Sequence, residues 1–130
     1  LLTDAKDLYK ENYQNEKIMH IIIKKFTVDN KNYSSFQENI IGENFCLELQ
    51  FRSISDLFLN EIEKVLEKYH IKMIGYLDGN YVKNLFNEVN MNIAEMAYKT
   101  KSGFNINEVK LVPKNTRKLG FFEKFFQLFS

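Results

Sequence analysis

Apolar and polar positions alternate most cleanly at residues 45–52. Phe45, Leu47, Leu49 and Phe51 take one side, and Cys46, Glu48, Gln50 and Arg52 take the other. Strict period two predicts a strand with one face on a core. Residues 18–28 predict a second, longer strand. Its first half, Ile18, Met19, His20, Ile21, Ile22 and Ile23, is rich in β-branched residues and apolar on both faces, as in a strand covered on two sides. Asp29, Asn30, Lys31 and Asn32 then read as a turn. A polar connection follows and ends at Gly42.

Helical spacing takes over elsewhere. Residues 4–14 predict a helix anchored by Leu8. From residue 56 to 69, Phe58, Ile62, Val65, Leu66 and Tyr69 fall on one stripe, and Ser53 or Ser55 stands where a side-chain oxygen caps free backbone amides. Residues 71–77 predict another short strand, broken by Asp78, Gly79 and Asn80. Beyond it, 81–86 predict a short helix and 89–99 a longer one, with Ile93, Met96 and Ala97 inward and Ser102 and Gly103 as its stop. A weak strand at 106–112 ends at Pro113. The order α-β-β-α-β through residue 77 predicts an α+β fold: a small three-stranded sheet packed with helices, followed by a helical or irregular segment.

The last stretch is patterned differently. Five Phe fall in the nine residues 121–129. At helical spacing these Phe and Leu128 occupy an arc of about 160°, and Leu119 widens it to about 180°. Gly120, Glu123, Lys124, Gln127 and Ser130 fill the other side, and Lys114, Arg117 and Lys118 precede the arc. Bulky aromatics suit the acyl boundary of a bilayer, and cations suit anionic head groups. Lys118, Leu119, Phe121, Phe122, Lys124, Phe125, Phe126, Leu128 and Phe129 are therefore expected to bind a membrane surface. The competing expectation is a final helix that packs on the protein's own core or in a partner's groove.

Charge sharpens that contrast. The 130 residues carry 18 Lys and Arg against 17 Asp and Glu, a net charge of +1. Residues 1–113 hold a net −2, and residues 114–130 a net +3. The near-neutral body opposes a nucleic-acid-coating role. Asn, Lys, Ile, Phe and Tyr supply 62 residues, all with AT-rich codons, so neither Asn richness nor the excess of Lys over Arg is a functional signal. The single cysteine, Cys46, excludes an intrachain disulfide and a cage of several thiolates, and it fits a reducing compartment. No run is long and apolar enough to span a bilayer. Leu1, Leu2, Thr3 and Asp4 lack the basic and apolar regions of a signal peptide.

Candidate chemistry is sparse. His20 lies in an apolar strand and reads as a satisfied structural histidine; His70 stands at a helix C-terminus, where a cation is favourable. Cys46 has no histidine near it in sequence. Glu61, Glu63 and Glu67 read as a solvated helix face, not an acid–base pair. Phe45, Phe51 and Tyr76 imitate an RNA-stacking sheet, but no basic string accompanies them. No enzyme activity, cofactor, metal or nucleic acid is expected.

Several strings are similar to a known family. Residues 18–29, from Ile18 through Phe26 to Asp29, resemble the first strand of the inserted 1C (SHS2-type) subdomain of bacterial FtsA, the actin-related membrane tether of the cell-division ring. Residues 45–51 stand where that family has its alternating strand. Residues 53–69 correspond to its helix, and 71–77 to the strand behind it. The C-terminal amphipathic helix is likewise a family hallmark. The resemblance divides the chain into a 1C-like interaction domain at 1–80, a connecting helix and short strand at 81–113, and a basic linker with a membrane-targeting helix at 114–130. It implies a division adaptor on the cytoplasmic face of the cell membrane, whose expected partners are the anionic membrane surface, other division proteins and further copies of itself. Lys68, Tyr69 and His70 stand where the family's helix ends in Gly. No Gly-rich phosphate loop or actin-like core accompanies these strings, so the resemblance implies a truncated or reduced form without ATP binding.

Overall fold

The computed structural model describes residues 1–37, 39–87 and 90–110. Among the described residues the fold is α+β: a small three-stranded antiparallel sheet with four helices. In chain order the elements are α1 (Leu2–Asn12), β1 (Glu16–Val28), β2 (Lys31–Tyr33), β3 (Phe45–Ser55), α2 (Asp56–Lys68), α3 (Gly79–Leu85) and α4 (Ile93–Lys101). The sheet order is β2-β1-β3, with the most apolar strand in the middle. No helix among the described residues is long and apolar enough to cross a membrane. The expected C-terminal amphipathic helix lies outside the described residues.

The chain divides into two compact units. Of the described residues, the first comprises 1–12, 21–50 and 106–110. Ile21, Ile22 and Ile23 are all buried, which requires cover on both faces of β1, as the doubly apolar run predicts. Leu2, Phe26, Val28 and Val109 are buried in the same unit. The backbone amide of Ile23 donates to the carbonyl of Asn107, and that of Val109 donates to the carbonyl of Ile21. The weak strand expected at 106–112 is thus a single antiparallel bridge, Ile22 to Glu108, among the described residues.

β1 and β2 form a two-residue hairpin in which Val28 pairs with Lys31. Asp29 and Asn30 both take left-handed backbone conformations, φ 45° and 67°. Two such residues in succession make the turn whose twist matches the flanking strands, and Asp and Asn tolerate it better than other side chains. The Asp29 carboxylate accepts from the amides of Glu43 and Asn44, tying the hairpin to the start of β3. Gly42 sits where a Cβ would collide with the buried Val28 side chain, so the connection must pass with a bare backbone. Around Phe26, the rings of Phe36, Tyr33 and Phe45 lie at 5.0, 5.8 and 6.4 Å.

The second unit comprises Tyr13–His20 and Phe51–Asn105. Its buried side chains are Ile18, His20, Leu59, Tyr81, Val82, Phe86 and Thr100. The rings of Phe86 and Phe104 pack at 4.5 Å. α4 starts at Asn92, whose Oδ1 accepts from the amide of Glu95 at 2.8 Å, and ends at Gly103, at φ 89°. The stop at Ser102 and Gly103 is as the sequence predicts.

Four expectations are corrected. Residues 71–77 form no strand; the third strand is the hairpin partner Lys31–Tyr33. Ile74 is 83% exposed, while Met73, Tyr76 and Leu77 are half-buried. In α1 the apolar anchor is Leu2, not Leu8: the helix starts earlier than predicted, and Leu2 and Lys6 face inward, with the Lys6 stem buried. The alternating face of β3 is only half-buried, because β3 is an edge strand and the core goes to β1. In α4, Ile93 is exposed, and the buried position is Thr100, whose hydroxyl donates to the carbonyl of Met96.

Candidate interaction surface

α2 begins directly where β3 ends. Ser55 occupies the capping position, but its side chain makes no capping hydrogen bond. The amide of Asp56 donates instead to the carbonyl of Asn15, so a neighbouring chain segment satisfies the helix start. At the other end the amides of His70 and Ile71 donate to the carbonyls of Glu67 and Leu66. That bond pair, with His70 at φ 56°, is the left-handed termination usually given to Gly. The chain thus keeps the backbone geometry that a Gly would supply, with a histidine in its place.

The stripe Phe58, Ile62, Val65, Leu66 and Tyr69, expected on one face of the helix, is split in its burial. Leu59 is the buried residue of α2, with Ile62, Glu63 and Leu66 half-buried beside it. Phe58, Val65 and Tyr69 are 55%, 53% and 73% exposed. The apolar arc of α2 is broader than its burial line, and one shoulder is left open. Ile71, just past the helix, is also exposed. Beside it lies a cleft of about 440 Å³ lined by Glu63, Glu67, His70, Ile71, Lys72 and Met73.

His20 proves structural, as its apolar setting predicts. It is 1% exposed, its Nε2 accepts from the amide of Asp78 at 2.9 Å, and its ring lies 4.5 Å from that of Tyr81. Asp78 does three things here. Its Oδ1 caps α3 by accepting from the amides of Asn80 and Tyr81, its amide meets His20, and its Oδ2 lies 3.8 Å from Nη1 of Arg52. In the sequence Asp78 is read only as a breaker; the signal for a cap was an Asp immediately before a helical pattern.

The remaining candidates do not converge. Cys46 is exposed on β3, and His70 is exposed at the end of α2. Glu61, Glu63 and Glu67 lie along α2, Glu63 half-buried and the other two exposed. Of the stacking candidates, Phe45 is exposed, while Phe51 and Tyr76 are half-buried. Among the described residues no three His, Cys, Asp or Glu side chains are grouped to hold a metal ion. Lys118, Leu119, Phe121, Phe122, Lys124, Phe125, Phe126, Leu128 and Phe129 lie outside the described residues. No protein-family model, curated protein or solved structure matches the chain.

Proposed function

We propose that this protein is a membrane-tethered adaptor that acts by binding rather than by catalysis, with its α+β body offering protein contacts and residues 114–130 holding it to an anionic membrane surface. The observation that carries this reading is the terminal arc of five Phe preceded by Lys114, Arg117 and Lys118. Each cation near an anionic surface contributes about 1 kcal/mol, and partial burial of the Phe rings adds on the order of several kcal/mol, less the cost of ordering a short helix. The exposed apolar shoulder of α2 supports the other half of the reading, since such a surface suits a protein contact. The resemblance of residues 18–77 to the 1C subdomain of FtsA supports reading the adaptor as one of bacterial cell division, on the cytoplasmic face of the membrane and in contact with other division proteins, without ATP binding.

Co-sedimentation with vesicles containing anionic lipid tests the tether. The full chain is expected to pellet with them, and Phe122→Glu/Phe126→Glu to stay in the supernatant while keeping its circular-dichroism spectrum. If the wild type ignores the vesicles and the double variant unfolds, the Phe arc belongs to the protein's own core and the tether reading is wrong.

A further inference from the structure

The contact between His20 and Asp78 depends on a single proton. Nε2 of His20 accepts from the amide of Asp78 at 2.9 Å, so that nitrogen carries no hydrogen. The ring is therefore neutral, with its one proton on Nδ1. A second proton has to go to Nε2. There it points at an N–H group, donor against donor, and the Asp78 amide loses its acceptor. The ring is 1% exposed, so water is not at hand to replace the lost bond.

The groups around this contact decide where a protonated ring turns. Tyr81 of α3 lies against it at 4.5 Å, and the Tyr81 hydroxyl accepts from Nδ2 of Asn105 at 3.0 Å. Arg52 of β3 brings a cation within 3.8 Å of Oδ2 of Asp78. The Asp78 carboxylate is the anion among them, and it caps α3 by accepting from the amides of Asn80 and Tyr81. To accept from a protonated Nε2, that carboxylate must leave those amides. Asp78 thus has two uses that exclude each other: the cap of α3 while His20 is neutral, and the counter-ion of His20 once it is charged. His20, Arg52, Asp78, Tyr81 and Asn105 all belong to the second unit.

We infer that His20 is a pH switch for α3, whose protonation draws Asp78 off the helix start and opens the helix. α3 has seven residues and does not persist without outside support, so loss of its cap is felt along its length. Opening uncovers Tyr81 and Val82, which are 6% and 1% exposed in the closed form. The direction follows from the proton count. The open form takes up a proton that the closed contact has no place for, so acid favours opening and the contact is complete at higher pH. His70, the second of the two histidines, is exposed and lies outside this contact. The switch rests on the second unit alone and stands apart from the membrane reading.

Hydrogen–deuterium exchange of the full chain, compared at about pH 7.5 and about pH 5.5 on either side of the ordinary imidazole range, tests it. Protection at amides 81–85, corrected for the intrinsic exchange rate, is expected to fall about tenfold at the lower pH, while α2 keeps its own. Ring-nitrogen chemical shifts are expected to show His20 as the neutral Nδ1–H tautomer wherever α3 is protected. His20→Gln sets an amide oxygen near the place of Nε2, an acceptor that takes no proton in this range, and is expected to remove most of the difference between the two pH values. Should His20→Gln fail to fold, the exchange and ring shifts of the wild type decide by themselves. His70→Asn is expected to respond as the wild type does. Equal protection of α3 at both pH values overturns the inference. So does α2 losing protection in step with α3, a doubly protonated His20 beside a protected α3, or a folded His20→Gln with the wild-type response.

Discussion

His70 holds a left-handed backbone, φ 56°, that L-residues other than Gly, Asn and Asp adopt at a cost of about 1–2 kcal/mol. It does so because the amides of His70 and Ile71 must close the last turn of α2 onto Glu67 and Leu66. Glycine relieves that strain and gives back part of the gain through greater freedom in the unfolded chain. His70→Gly is therefore expected to raise stability by about 0.5–1 kcal/mol, read as a higher urea midpoint with an unchanged slope. An unchanged or lower midpoint would mean that the histidine side chain contributes more than its backbone costs. Asp29 and Asn30 show the opposite fit: both take positive φ, and both belong to the residue types that tolerate it.

At the scale of elements, helices and strands are held less by propensity than by what their ends meet. α3 has seven residues, too short to persist without outside support. Its start is fixed by Asp78, which caps the helix while its own amide bonds the buried ring of His20 on β1. Asp78→Ala removes both acceptor bonds and the approach to Arg52, and is expected to cost about 1–2 kcal/mol by urea denaturation. Asp78→Asn keeps the capping oxygen and is expected to recover most of the loss. If Ala and Asn behave alike, the cap is not what fixes α3. β3 teaches a related point. Its alternation is the cleanest in the chain, yet its apolar face is only half-buried because it stands at the sheet edge. Periodicity reports which side chains share a face, not how much of that face is covered.

For the whole molecule, the charge distribution matters more than its sum. The +1 total is a body of −2 joined to a terminal stretch of +3. If the terminal stretch holds anionic membrane as proposed, binding has a Coulombic part screened over about 8–10 Å at ordinary ionic strength and a hydrophobic part that salt does not weaken. Vesicle binding is expected to fall as salt rises from low to physiological strength. It should also fall with neutral lipid, without vanishing at once. Binding that ignores both salt and lipid charge would leave Lys114, Arg117 and Lys118 without the role proposed for them.

The sequence by itself determined the α+β class, the long buried strand, a turn beginning at Asp29 (though Lys31 and Asn32, read as part of it, belong to β2), the span of α2 to within a residue and the stop of α4 at Gly103. These follow from local rules: β-branched runs, residues that tolerate positive φ, helical spacing and caps. Tertiary structure alone decided which alternating segment joins the sheet. Residues 31–33 pair because a two-residue turn delivers them to β1, while the apolar residues of 71–77 stay outside the ladder. It also decided which half of the α2 stripe is buried. An apolar arc wider than one contact line can be covered from either shoulder, and only the neighbours packed against Leu59 and Leu66 settle which. The uncovered half, Phe58, Val65 and Tyr69, is therefore visible as a surface only once the chain has folded.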